Sequence, residues 1–295
     1  MNMLSKFAPA RYWFSHRDIY NIDVYANHDN TSPIMTISRN ETEIADAVLQ
    51  RDFDMYKSSP EWAVGTAIDD VVDFSAVSRN SPQLLKDIYT QLLYGVLRLR
   101  AYQAIGNANK GEAIADKILA WLETTDFFTA PASTRYHESE VCGLVFHSLK
   151  VYNEAATLQT IPAFADCNVC KWALVALVHD WCKIGLYESY TRNVKNESTG
   201  QWEKVPSFKI AEVKHNNTLG HGAASMFMIS QFLRLSFEEA LAIRWHMGTW
   251  NVCDSEFNDL QDSNENYPLV HMIQFADQLA ITTYESARYA KERNK

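Results

Sequence analysis

Seven of the nine histidines lie from residue 137 onward, and four of them fall in an order that suggests metal chemistry. His147, the dipeptide His179-Asp180, His221, His246 and Asp277 each sit on, or at the start of, a segment with helical patterning. Neighbours on a helix point about 100° apart. His179 and Asp180 can therefore line one edge of a metal site, and a carboxylate has two oxygens with which to bridge two ions. His147 and Asp277 come from flanking helices. Imidazole with carboxylate suits Mn, Fe, Co or Zn better than Ca. Four imidazoles and two carboxylates crowd a single ion, so two divalent ions about 3.5–4 Å apart are expected. A lone histidine on an apolar helix is ordinarily a hydrogen-bonded core or surface residue, and a bare His-Asp pair is common. The argument rests on the six together.

The elements that must position them are mostly helical. Ser81-Pro82 is a helix start, and QLLKDIYTQLLYGVLRLRAYQAI then runs to Gly106. GEAIADKILAWLETT follows, and FFTAPASTRYHES, with small residues and no period, reads as a loop. Helices are expected around VCGLVFHSLKVYNEAATL, CKWALVALVHDWCKIG, HGAASMFMISQFLRL, SFEEALAIRWHMG and YPLVHMIQFADQLAITTYESARYAKE. Ser236 with Glu239 is a capping-box signature. One insert, about residues 187–212, reads as two strands around a turn. Near the start, IYNIDVYA and PIMTIS suggest a small hairpin, and helical patterning resumes from Glu41. The chain thus divides into an N-terminal extension, 1–80, of unassigned role and a mainly α core, 81–295, with a small β insert.

Composition sets the outer bounds. With 295 residues, one large or two modest domains are expected. Ten Gly and eight Pro are too few for a turn-rich β fold, and 47% hydrophobic with 21% charged residues excludes wholesale disorder. No apolar run is long enough to span a bilayer and the first residues lack a signal-peptide core, so a cytoplasmic protein is expected. A net charge of −9 argues against a large nucleic-acid surface, though not against a local basic pocket. Five cysteines, an odd count, speak for reduced thiols, and the lone Cys167-x-x-Cys170 reads as helix-start or core residues. Phosphate-binding G-x-x-x-x-G-K-[ST], G-x-G-x-x-G and G-x-S-x-G are all absent.

Read together, FHSLKVY, LVHDWCKIG, LGHGAAS, IRWHMG and FADQLA resemble the ordered H…HD…H…H…D signature of the HD-domain metal-dependent phosphohydrolase superfamily, across roughly residues 125–285. The segments APASTRYHES, GLVFHSL, HDWCKIG, LGHG and HMG are similar to bacterial and phage HD hydrolases related to the HD-type 3′-to-5′ exoribonucleases. The resemblance implies that His147, His179, Asp180 and Asp277 hold one ion, and that Asp180, His221 and His246 hold a second. It also implies that His137, ten positions before the first ligand, lies near the site and faces phosphate. The chain departs from that branch in two respects. Cys142-Gly143 stands where the branch often has Gly-Gly, and two candidate N-terminal strands are too few for its OB-type domain, which argues against RNA as the substrate.

Other charged residues are candidates for substrate contact. Lys183, one helical turn beyond Asp180, is placed to neutralise a phosphate. Arg244 precedes His246 by two residues and is a candidate second-layer or substrate-binding group. The β insert carries Arg192, Lys195, Lys204 and Lys209, with Lys214 just beyond, against Glu197, Glu203 and Glu212, and can guide an anionic substrate. His271, six residues before Asp277, is a poor co-ligand, and His16, His28 and His215 read as bystanders.

The expected function is a metal-dependent phosphohydrolase or phosphodiesterase. Asp180, Lys183 and His137 would take part in catalysis on a nucleotide or short phosphodiester. Two other readings use the same six ligands or their scaffold: a di-iron oxygenase, and a non-catalytic nucleotide-binding module. A homo-oligomer is the default expectation for a soluble protein.

Overall fold

The computed structural model describes residues 22–25, 34–37, 82–134, 137–195, 199–212 and 218–293. Helices dominate: α1 (Pro82–Ile105), α2 (Ala108–Leu122), α3 (Gly143–Leu158), α4 (Val169–Val178), α5 (His221–Ser230), α6 (Phe237–Arg244), α7 (Phe257–Asn266) and α8 (Pro268–Arg293). Two antiparallel hairpins accompany them, β1 (Ile22–Tyr25) with β2 (Ile34–Ile37), and β3 (Tyr187–Lys195) with β4 (Trp202–Ile210). The protein is mainly α with a small β insert, as its patterning predicts. The helical pattern from Glu41 lies outside the described residues. Among those described, no helix is long and apolar enough to cross a membrane.

The centre of the helical core is α4. Every residue from Trp172 to Val178 is buried, as suits a helix apolar on all sides. Around it pack α1, α3, α6 and α8. Asn168 caps its start, accepting a hydrogen bond from the Cys170 N–H. At its other end the last carbonyls lack intrahelical partners. There the Tyr89 hydroxyl, from α1, donates to the Leu177 carbonyl at 3.0 Å, and Trp181 Nε1–H donates to the Tyr89 oxygen at 3.2 Å. This relay pins the segment that carries His179 and Asp180.

Helices α4, α5 and α6 are shorter than their patterns suggest, α5 ending at Ser230. The first, α4, stops at Val178. Asp180 has left helical geometry (φ −105°, ψ 17°), and Trp181–Lys183 form a 3₁₀ turn. Residues three apart eclipse in such a turn, so Lys183 still returns over Asp180. Likewise α6 ends at Arg244, so Arg244 and His246 do not share a helix. The Ser236–Glu239 capping box is present as expected. Periodicity did not mark α7, because only Leu260 and Ser263 of that helix are buried and it has no apolar stripe.

Candidate metal centre

Three helices and the turns after two others converge on Asp180. Its Oδ1 lies 2.7 Å from His221 Nε2 and 3.5 Å from His246 Nε2. Its Oδ2 lies 2.6 Å from Lys183 Nζ, 3.4 Å from His147 Nε2 and 3.5 Å from His179 Nε2. Asp277 Oδ1 stands 3.0 Å from His147 Nε2, and the Nε2 atoms of His147 and His179 are 3.4 Å apart. His147 comes from α3, His179 and Asp180 from the end of α4, His221 from the first residue of α5, and Asp277 from α8. His246 follows α6 in a turn that α8 secures, since Gln274 Nε2–H donates to the Trp245 carbonyl at 2.9 Å.

The tautomers are set locally. His179 Nδ1 lies 2.9 Å from the Ala176 carbonyl and His246 Nδ1 lies 2.7 Å from that of Ile243. A carbonyl only accepts, so each Nδ1 is the donor, and in the neutral ring Nε2 keeps its lone pair. Both lone pairs point toward the Asp180 carboxylate. His246 Nε2 is buried without a hydrogen-bond partner. Carboxylate oxygens and imidazole lone pairs thus meet with too few protons between them, and a cation satisfies that arrangement. Among the described residues, three overlapping groups could hold a metal ion: His147 with His179 and Asp277, His179 with Asp180 and His246, and Asp180 with Cys182 and His221.

The charges reinforce one another. Burial pushes the Asp180 carboxyl up, but Lys183, His179 and His147 outweigh it and hold the group well below the usual carboxylate range. Burial likewise opposes charge on Asp277, and the His147 hydrogen bond dominates to keep it low. On His147, burial is overcome by Asp180 and Asp277, which raise its pKa. His179 and His221 are lowered, chiefly by burial. Lys183 is held charged, because Asp180 outweighs the cost of burying the ammonium.

His137 is also brought in. Its ring lies 5.0 Å from that of His147, its Nε2 is buried without a partner, and burial lowers its pKa to about 3. The loop that carries it is tied down on both sides. Ser133 Oγ–H donates to the His137 carbonyl at 2.6 Å, and the Ala132 N–H donates to the Glu138 carbonyl at 2.9 Å. A Cβ on Gly143 would stand 2.0 Å from that Glu138 oxygen, so only glycine lets the loop close on α3. The preceding Cys142 takes a left-handed φ of 64°, where glycine would be unstrained.

Arg244 and Arg192 are not brought to the cluster. Arg244 pairs with Glu256 and stacks over the Trp245 ring at 4.1 Å. Arg192 is exposed in β3, paired across the hairpin with Val205. His271 lies against Phe275, its ring centre 5.6 Å away, and belongs to none of the three groups. Cys167 and Cys170 are free thiols at the start of α4 and belong to none of the three groups. His16, His28 and His215 lie outside the described residues.

Three features escaped the sequence reading. Cys182, two positions past Asp180, is buried beside the site, where burial raises its thiol to about 12. The buried Lys150 ammonium pairs with Glu138 at 2.6 Å. Gly222, in the LGHG segment, permits a close helix contact: a Cβ there would lie 2.3 Å from the Arg244 carbonyl and 2.5 Å from that of Ile243. The Ile243 carbonyl is also the one that orients His246. Gly222→Ala is therefore expected to push α5 off α6, destabilise the fold by about 1–3 kcal/mol in urea denaturation, and weaken metal retention through both His221 and His246.

In comparisons with protein-family models, curated proteins and solved structures, nothing matches this chain.

Proposed function

We propose that this protein is a metal-dependent phosphohydrolase or phosphodiesterase of HD type, acting on a nucleotide-like phosphate ester. The observation that carries the reading is the convergence on one carboxylate, Asp180, of four histidines and a lysine, with Asp277 alongside. His147, His179, Asp180 and Asp277 would hold one divalent ion, and Asp180, His221 and His246 a second, each Mn, Fe, Co or Zn. The division of partners between Oδ2 and Oδ1 of Asp180 supports a bridging role. Bound ions of this kind supply an activated water at neutral pH and stabilise charge on phosphoryl oxygens. Asp180 orients the surrounding imidazoles. Lys183, held charged beside it, supplies a cation for a phosphate oxygen. His137 stays neutral and offers its unpartnered Nε2 edge to the same anionic group.

The test is to purify the protein anaerobically, quantify its metals, and screen nucleotides and model phosphodiesters with added Mn²⁺. Phosphate or nucleotide release that falls at least about 10³-fold in Asp180→Ala is the expected result. Oxygen consumption by iron-loaded protein without phosphate release would assign an oxygenase instead. Nucleotide binding without turnover would assign a binding module.

A further inference from the structure

We propose that one face of the β3–β4 hairpin binds a single-stranded oligonucleotide and leads it toward Asp180 and Lys183; for its chemical step this rests on the phosphohydrolase reading. Side chains alternate across a strand, and antiparallel partners share a face. The register pairs Tyr187 with Ile210, Ser189 with Phe208, Asn193 with Lys204 and Lys195 with Trp202. Tyr187, Phe208, Lys204, Lys195 and Trp202 therefore line a single face. The opposite face carries the carboxylates of the two strands, Glu188, which pairs with Lys209 at 2.6 Å, and Glu203, together with Arg192. In a chain of net charge −9, the described strands thus sort their charges, leaving one face with cations and aromatic rings and no carboxylate.

The placement of this face matters as much as its composition. Lys195 and Lys204 are exposed, and Trp202 is 70% exposed, far more than a packing role would leave it. Aromatic faces interleaved with lysines are the chemistry of single-strand recognition, in which bases stack and phosphates pair. A duplex hides its base faces, and an acidic peptide has none. At the inner end, Leu186 N–H donates to the Lys183 carbonyl at 3.1 Å, and the Tyr187 hydroxyl donates at 3.3 Å to Ala132, in the loop that carries His137. Nine residues of strand extend roughly 26 Å, enough for the shortest single-strand sites of about four nucleotides.

The test is fluorescence anisotropy on the full chain, stripped of metal in EDTA, with labelled octamers of oligodeoxythymidylate and oligouridylate. Trp202→Ala is expected to weaken binding about 5- to 100-fold. Lys195→Ala with Lys204→Ala should weaken it and flatten its salt dependence. Arg192→Ala, on the other face, should change affinity less than about twofold. Binding of either octamer supports the proposal, and a preference between them identifies the sugar. The proposal is overturned if the unaltered chain binds neither octamer, if Arg192→Ala costs as much as Trp202→Ala, or if a polyglutamate peptide competes equally well. Without metal, binding is independent of turnover. Loss of the phosphohydrolase reading alone would leave octamer binding intact, whereas mononucleotide hydrolysis without octamer binding would defeat this proposal alone.

Discussion

Asp180→Asn should do two separable things: weaken metal retention and destabilise the metal-free protein. The substitution keeps the shape of the side chain, so packing in a site where Asp180 is 2% exposed is unchanged. What it removes is the negative charge between His221 and His246 on one oxygen and Lys183, His147 and His179 on the other. Metal affinity should fall by at least about 100-fold, more than the loss of a supporting residue outside the ligand set would cause. In EDTA the effect is different in kind. Lys183, 6% exposed, is left as a buried ammonium without its carboxylate, and removing one partner of such a pair costs about 3–5 kcal/mol. Urea denaturation with chelator present measures this second effect, and elemental analysis measures the first. Adding Lys183→Met to Asp180→Asn should restore most of the stability and none of the metal. A single variant within about 1 kcal/mol of the starting protein would mean that the Lys183 charge is neutralised elsewhere.

The proximity of Lys183 to Asp180, though not their ion pair, was legible in the sequence for an instructive reason. The spacing of Asp180 and Lys183 brings them together in an α-helix and in a 3₁₀ turn alike, so their proximity does not depend on where α4 ends. The clustered histidines were legible because their types and order are unusual together, whatever the local geometry. The ion pair of Arg244 was hidden for the opposite reason. Its partner, Glu256, is twelve residues away in a segment without periodicity, and no helical wheel predicts that contact. Gly222 was visible as a letter in LGHG but not as a contact, because its meaning depends on where the carbonyls at the end of α6 lie. Cys182 followed the same rule. Its distance from His221 is a property of how α5 docks on the 3₁₀ turn, where Ser225 Oγ accepts from the Cys182 N–H at 2.9 Å.

Glu138→Ala should be among the most destabilising substitutions in the chain, though it removes no candidate ligand. Lys150 lies between Leu149 and Val151 on α3. In the fold it is fully buried, its ammonium 2.6 Å from Glu138 Oε1 and 5.5 Å from the centre of the Phe146 ring. A lysine tolerates such a site only when charge and hydrogen bonds compensate for lost hydration. The compensating carboxylate comes from the loop ahead of α3, at a residue whose own backbone is left-handed (φ 42°) and whose carbonyl packs against Gly143. Truncating Glu138 therefore removes the carboxylate hydrogen-bonded to the buried ammonium, leaving the half-buried Glu154 on the same helix as a neighbouring negative charge, and loosens the loop next to His137, at a cost of about 2–4 kcal/mol in urea denaturation. Adding Lys150→Met should recover most of that cost, since an apolar side chain of similar length needs no counter-charge. The two readouts then part. If the pair serves only the core, the double variant regains both stability and phosphate release. If it also positions His137, stability returns while kcat stays depressed, because the loop has lost its anchor. The latter is the expected outcome, since the Glu138 side chain is the loop's ionic link to the helix that presents His147.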